Sequence, residues 1–134
     1  MELSIIIVSW NVRGYLAKCL DSIAESLQAA PLNAEIIVVD SASSDGTPDL
    51  LREAYPQVRL LPQSENVGYT RGNNIGLAAA QGEYLLLLNP DTEVQGDALA
   101  GMVAYMRQHL QVGVLGAHTL NTDGTHQSSR RRFP

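Results

Sequence analysis

"AEIIVVDSASSDGTPDLLREAY" (residues 34–55) is the stretch whose reading decides the fold. Residues 34–40 are an apolar, β-branched run that ends on an acid, the pattern of a strand covered on both faces. Small hydroxyl residues follow, then the turn pair Asp45-Gly46. "TPDLLREAY" (47–55) reads as a short helix, with Thr47 as N-cap, Pro48 at the first helical position and Asp49 in the first turn. Strand, polar loop and helix in that order make one β–α unit.

The same unit recurs outward in both directions. "LSIIIVSW" (3–10) is a second buried run, followed by helical spacing over 13–29 that Pro31 closes. "VRLLP" (58–62) is a third strand. Residues 69–81 are a Gly/Ala-rich helix that Gly82 ends. "EYLLLLN" (83–89) reads as a fourth, buried strand, 97–110 as a helix and "VGVLGAHTL" (112–120) as a fifth strand. Beyond Asn121 the signal weakens to an Asp-Gly turn and basic residues. Strands alternating with helices over short links predict an α/β fold, a mostly parallel sheet with helices on both faces. Ligands of such sheets sit beyond the carboxyl ends of the strands. Three polar ends meet that rule: "SWN" (9–11), "DSASSDGT" (40–47) and "NPDTEV" (89–94).

The 134 residues suit a single domain over 1–134, and 45% hydrophobic content fills one core. The one cysteine, Cys19, excludes an internal disulfide and falls on an apolar helical face with Leu16, Leu20, Ile23 and Leu27, so it reads as core. No apolar run reaches the roughly 18 to 20 residues of a membrane span. The start carries an acid and no basic region, unlike a signal peptide. A cytoplasmic location is the default expectation. The net charge is −5. Setting aside Arg130, Arg131 and Arg132 leaves six basic residues against 14 acidic ones, a balance of −8. So acidic a body does not suit a nucleic-acid backbone, and any phosphate would be held by helix N-termini, a few arginines or a metal ion.

Each motif has two readings. Asp40 is either the end of an ordinary loop or an acceptor for a nucleobase N–H or ribose hydroxyl, with Ser41 and its small neighbours letting the ligand approach. Gly72 and Gly76 each cost about 1 kcal/mol inside a helix relative to alanine. Close helix–sheet packing explains them, but Arg71, Asn73 and Asn74 beside them favour a ligand, with Arg71 suited to a diphosphate. Asp91 follows directly on the leucine strand behind rigid Pro90. A hard cation, Mg²⁺ or Mn²⁺, takes one or two protein carboxylates plus phosphate oxygens, so Asp91 is the expected metal ligand. Glu93 reads as local structure. His109 suits a helix C-terminus, and His118 and His126 have no metal spacing.

Together, "IIIVSWN" (5–11), "EIIVVDSASSDGT" (35–47), "NVGYTRGNNIGL" (66–77) and "GEYLLLLNPDTEV" (82–94) resemble the family 2 inverting glycosyltransferases of GT-A fold. The similarity is greatest to the rhamnosyltransferase-like branch of O-antigen and cell-wall enzymes, which reads Leu-Asn-Pro-Asp here and Arg-Arg-Phe-Pro later. The resemblance implies that Ser9, Trp10 and Asn11 lie against the nucleotide and that Asp40 with Ser41 meets the base. It implies that Arg71 and Asn74 lie near the ribose and diphosphate. The family's metal-binding Asp-x-Asp maps onto Asn89-Pro90-Asp91, with an asparagine in place of the first acid. Trp10 stands where a tyrosine is usual.

The implied activity is transfer of a sugar, with inversion, from a UDP-, dTDP- or GDP-sugar to a saccharide or lipid-linked acceptor, with possible association at the inner membrane surface. Inverting transfer needs a base to deprotonate the attacking hydroxyl. Family members carry it, commonly an aspartate, in an acceptor-binding half for which no match is found here. The expectation is therefore a donor-binding part, with the base beyond Pro134. The other class in view is a non-catalytic nucleotide-binding module. A phosphorylation receiver would need paired acids after the first strand, and "SWN" has none. Arg130–Arg132 read as a solvated tail or as partners for a diphosphate or anionic acceptor.

Overall fold

The computed structural model describes residues 1–127. The chain runs β1 (Leu3–Ser9), α1 (Arg13–Ala29), β2 (Ala34–Asp40), α2 (Thr47–Ala54), β3 (Arg59–Pro62), α3 (Gly68–Ala79), β4 (Tyr84–Leu87), α4 (Ala98–Gln108), β5 (Thr119–Leu120) and β6 (His126–Gln127). The first four strands form one parallel sheet in the order β3-β2-β1-β4. The central strands are the continuous apolar runs, because both of their faces are covered.

On one face, Leu3, Ile5 and Ile7 of β1 and Ile36 and Val38 of β2 join Leu16, Cys19, Leu20 and Ile23 of α1, Leu51 of α2, and Leu99 and Val103 of α4. The α1 contribution keeps i, i+3, i+4, i+7 spacing, one helical stripe. On the other face α3 lies close to the sheet, and its glycines permit it. A Cβ on Gly72 would meet the Val8 methyls at 2.7 and 2.9 Å, and one on Gly76 would collide with Ile6. Sheet packing, and not a ligand, therefore accounts for these two glycines, contrary to the weight given to Arg71, Asn73 and Asn74 beside them. Gly82 is also a close approach, since a Cβ there would lie 2.5 Å from the Ser4 amide nitrogen. The helix before it already ends at Ala79.

Three further expectations change. Thr47 is inside α2, and the N-cap is Gly46 at φ +84°. The Asp45 carboxylate caps the helix instead, accepting the Thr47 N–H at 3.1 Å and its hydroxyl at 2.5 Å. β4 is an edge strand and not a buried one: no further strand pairs with its outer side among the described residues, and Leu85 and Leu87 are 53% and 46% exposed because α3 packs over β1 and β2. Residues 112–118 form no strand. Only Thr119–Leu120 pairs, antiparallel, with His126–Gln127 across the turn at Gly124. Gly113 and Gly116 weaken that run as a strand, and its apolar residues are not buried, Val114 being 91% exposed. His109 is the C-cap of α4, its ring stacked on Tyr105, and His118 stacks on His126. Residues 128–134, with Arg130–Arg132, lie outside the described residues.

The glycines yield a paired expectation. Gly72→Ala lowers stability by about 1–3 kcal/mol through overpacking against Val8. Gly101→Ala, in the open interior of α4 with nothing within 4 Å, raises it by about 0.4–1 kcal/mol. Urea unfolding of the two variants reads both, and equal signs would refute the packing account.

Candidate functional site

The three strand ends named from the sequence come together at the carboxyl edge of the sheet. Ser9 and Asp40 are register partners on β1 and β2. The Ser9 hydroxyl donates to Asp40 Oδ1 at 2.9 Å, and Ser43 adds its hydroxyl at 2.7 Å and its amide, to Oδ2, at 2.9 Å. The Ser41 amide donates to the Ser9 carbonyl at 2.8 Å. Its hydroxyl donates to Asn66 Oδ1 at 2.9 Å and accepts the Val67 N–H at 2.8 Å, which ties the β2 tip to the start of α3. Ser9, Asp40 and Ser41 are 1% exposed or less. In this arrangement they are a buried scaffold with their hydrogen bonds made within the protein, where the sequence reading had them touching a ligand.

What that scaffold presents outward is exposed. Trp10 is 54% exposed. Asn11 takes the left-handed conformation, φ +51°, which asparagine tolerates better than most residues. Its amide donates to Ser43 Oγ at 2.9 Å and its Oδ1 accepts the Ser44 N–H at 2.8 Å. Asp45 then joins two helices. One oxygen takes the Thr47 groups described above, and the other accepts the Arg13 amide at 3.0 Å, an N–H that α1 itself leaves unpaired. The Arg13 guanidinium reaches back to the Asp45 carbonyl at 3.5 Å. Burial raises the pKa of the Asp45 carboxyl, but hydrogen bonds from Thr47 and the Arg13 amide outweigh it and hold the value below the ordinary 3.8.

At the third strand end, Asn89-Pro90-Asp91-Thr92 is a tight turn. Thr92 donates its amide at 3.2 Å and its hydroxyl at 2.7 Å to the Asn89 carbonyl, and Pro90 takes the position that turns favour for it. Helix α1 holds this loop from below. The Ser22 hydroxyl accepts the Val94 N–H at 2.9 Å, and the Cys19 thiol lies 3.9 Å from the Asn89 carbonyl. Cys19 is fully buried, as expected of a core residue, and burial pushes its thiol up to about 11. Asn89, Asp91 and Glu93 are exposed. A cleft of about 450 Å³ opens here, lined by Val12, Tyr15, Asn89, Pro90 and Asp91. Among the described residues no three His, Cys, Asp or Glu side chains converge. Asp91 would thus be the single protein carboxylate for a cation, a donor set that fits Mg²⁺ or Mn²⁺ completing its shell with phosphate oxygens and water.

Arg71 and Asn74 are exposed on α3, and no ion pair or hydrogen bond joins them to the strand-end cluster, whereas neighbouring Asn73 is buried. Sequence reasoning passed over Tyr15, Ser43, Asn66 and Ser22. The last three act by pinning backbone, which leaves no motif. Tyr15 carried one signal, a large aromatic off the apolar stripe of its helix.

A parallel sheet with aromatic, amide and acidic groups gathered at its carboxyl edge is an α/β architecture, the class of fold whose ligands sit across the strand tips. The chain belongs to Glycosyl transferase family 2, whose profile matches residues 4–134. It is 27% identical over 143 residues to N-acetylglucosaminyl-diphospho-decaprenol L-rhamnosyltransferase of Mycobacterium tuberculosis, covering 98% of this chain and 46% of that protein. A putative teichuronic acid biosynthesis glycosyltransferase of Bacillus subtilis is 29% identical, over 91% of this chain and 49% of its own length. A mannosyltransferase from Pyrobaculum calidifontis, solved with GDP-Man and Mn²⁺, superposes with a TM-score of 0.70 at 28% identity, covering 78% of this chain and 32% of that one. S. aureus TarS shares the fold, TM-score 0.71 at 23% identity, over 82% of this chain and 33% of the solved chain. The fold is therefore the GT-A fold of these transferases, and the chain spans about a third of the length of some curated relatives it matches and about half of others.

Two expectations follow. Asp45→Ala destabilises by about 0.5–2 kcal/mol through lost capping. Because the folded carboxyl titrates below 3.8, this contribution is present above that pH and lost as pH falls through the folded value. Urea midpoints for wild type and variant thus converge as the pH falls below 3.8. Conversely, the buried Cys19 thiol holds its proton up to about 11 against an ordinary 9.0. Stability declines as pH rises between those values, and it declines less in Cys19→Ala.

Proposed function

We propose that these residues bind the donor of a nucleotide-sugar-dependent glycosyltransferase, which passes a hexose with inversion to a saccharide or lipid-linked acceptor. The observation that carries the reading is the position of Asp91, exposed on a proline-fixed turn at the end of β4 and lining a cleft beside the β1 tip. Family membership supports it. So does the Pyrobaculum calidifontis neighbour, whose own ligands are GDP-Man and Mn²⁺.

The nucleotide lies across the strand tips from β2 towards β4. Trp10 offers its exposed face to the base or ribose, and Asn11 offers its edge. Asp40 and Ser41 hold the loop that bounds the base, and a base N–H that displaces the Ser43 hydroxyl would gain Asp40 directly. Arg71 and Asn74 approach the ribose and diphosphate from α3. Asp91, with Asn89 beside it, supplies the protein's share of a divalent cation site. Such a cation, bound with the donor, would neutralise the leaving diphosphate. The acceptor and the base that deprotonates its hydroxyl belong to the additional length that the relatives possess. The full enzyme works in the cytoplasm, at the inner face of the membrane when its acceptor is lipid-linked. No helix among the described residues is long and apolar enough to cross a membrane.

Isothermal titration with UDP, dTDP and GDP, each with and without Mn²⁺, tests the reading. The expected result is binding of at least one nucleotide that Mn²⁺ strengthens, with the Mn²⁺-dependent part lost in Asp91→Ala. No glycosyl transfer by residues 1–134 alone is expected. Binding that ignores both Mn²⁺ and Asp91 would favour a non-catalytic nucleotide-binding module.

A further inference from the structure

Helix α1 spends its apolar stripe on the core, yet its first turn leaves Tyr15 62% exposed. That exposure is not on open surface. Tyr15 and Val12 form one wall of the cleft of about 450 Å³ whose other wall is Asn89, Pro90 and Asp91. The opposite wall is held in place from α1 itself, by the Ser22 hydroxyl on the Val94 amide and the Cys19 thiol against the Asn89 carbonyl. The width of the cleft is thus set by one helix that carries Tyr15 at its start and the loop supports one and two turns later.

The walls differ in chemistry. One presents an aromatic face beside a valine. The other presents a carboxylate, a side-chain amide and a proline ring. A planar aromatic surface opposite convergent hydrogen-bonding groups suits a ligand with an apolar face and a polar rim. A pyranose has both: a patch of C–H bonds on one face and hydroxyls around its edge. In the proposed donor site the diphosphate lies at Asp91, and the sugar bonded to it falls within reach of the same cleft, which Tyr15 also lines.

We propose that Tyr15 is a sugar-contact residue, its ring stacking on the hexose of the nucleotide-sugar. This rests on the donor-binding reading and adds to it the residue that senses the sugar as distinct from the nucleotide.

The test compares UDP with UDP-N-acetylglucosamine, and GDP with GDP-mannose, by isothermal titration in Mn²⁺ for wild type, Tyr15→Ala and Tyr15→Phe. Tyr15→Ala is expected to weaken binding of the nucleotide-sugar by roughly three- to tenfold while changing the matching nucleoside diphosphate less than about twofold. Tyr15→Phe, which keeps the ring, is expected to restore most of the loss. Unfolding midpoints check that the exposed substitution leaves the fold intact. An equal loss for both ligands would place the ring on the nucleotide and overturn the proposal, as would no loss for either, and in both cases the donor-binding reading survives. A wild-type chain that binds none of the four ligands overturns that reading, and the proposal with it.

Discussion

A carboxyl group in a protein interior must find hydrogen-bond partners or the fold loses several kcal/mol. Asp40 is that group here, and its needs organise the working edge of the sheet. Ser9 and Ser43 satisfy it from two sides, and meeting both requires the ends of β1 and β2 to stop in register. The loop that returns Ser43 to Asp40 passes through Ala42 in the left-handed conformation, φ +62°, a backbone state that costs of order 1–3 kcal/mol and persists only where surroundings impose it. Trp10 and Asn11 are exposed immediately after buried Ser9 ends β1. The polar residues that look most like ligand contacts are, in this arrangement, the ones that are buried and hold their neighbours at the surface.

Helix α1 does a comparable job for the remaining strand end. Its unpaired first N–H is taken by Asp45 from the β2–α2 loop, its middle supports the Asn89–Val94 loop, and its stripe of Leu16, Cys19, Leu20 and Ile23 anchors all of this to the core. One rigid element thereby connects the tips of β1, β2 and β4. A site built on a helix packed against a sheet holds its geometry better than one built from loops alone. The opposite helix is fitted differently. Gly72 and Gly76 bring α3 down onto Ile6, Val8 and Val39, so Arg71 and Asn74 ride on a helix whose height is fixed by the sheet.

On the proposed reading, a single exposed acid would suffice for a cation, because the donor would bring phosphate oxygens as further ligands and no protein cage would be needed.

The sequence by itself determined the alternation of strands and helices, the parallel sheet, the three strand ends and the family. Buried β-branched runs, helical stripes and turn residues are local signals, and each has the same meaning wherever the chain is placed. Tertiary structure decided which polar residues are scaffold and which face outward, because Ser9, Asp40 and Ser41 differ from Trp10 and Asn11 only in what packs over them. It also decided that the glycines of α3 serve the sheet. A glycine's spacing is visible in sequence, but the atoms that would collide with its Cβ come from strands some sixty residues earlier. The 112–120 stretch went the other way for the same reason. Its apolar pattern was that of a strand, but a strand exists only where a neighbour offers a ladder, and pairing is a property of the assembled sheet.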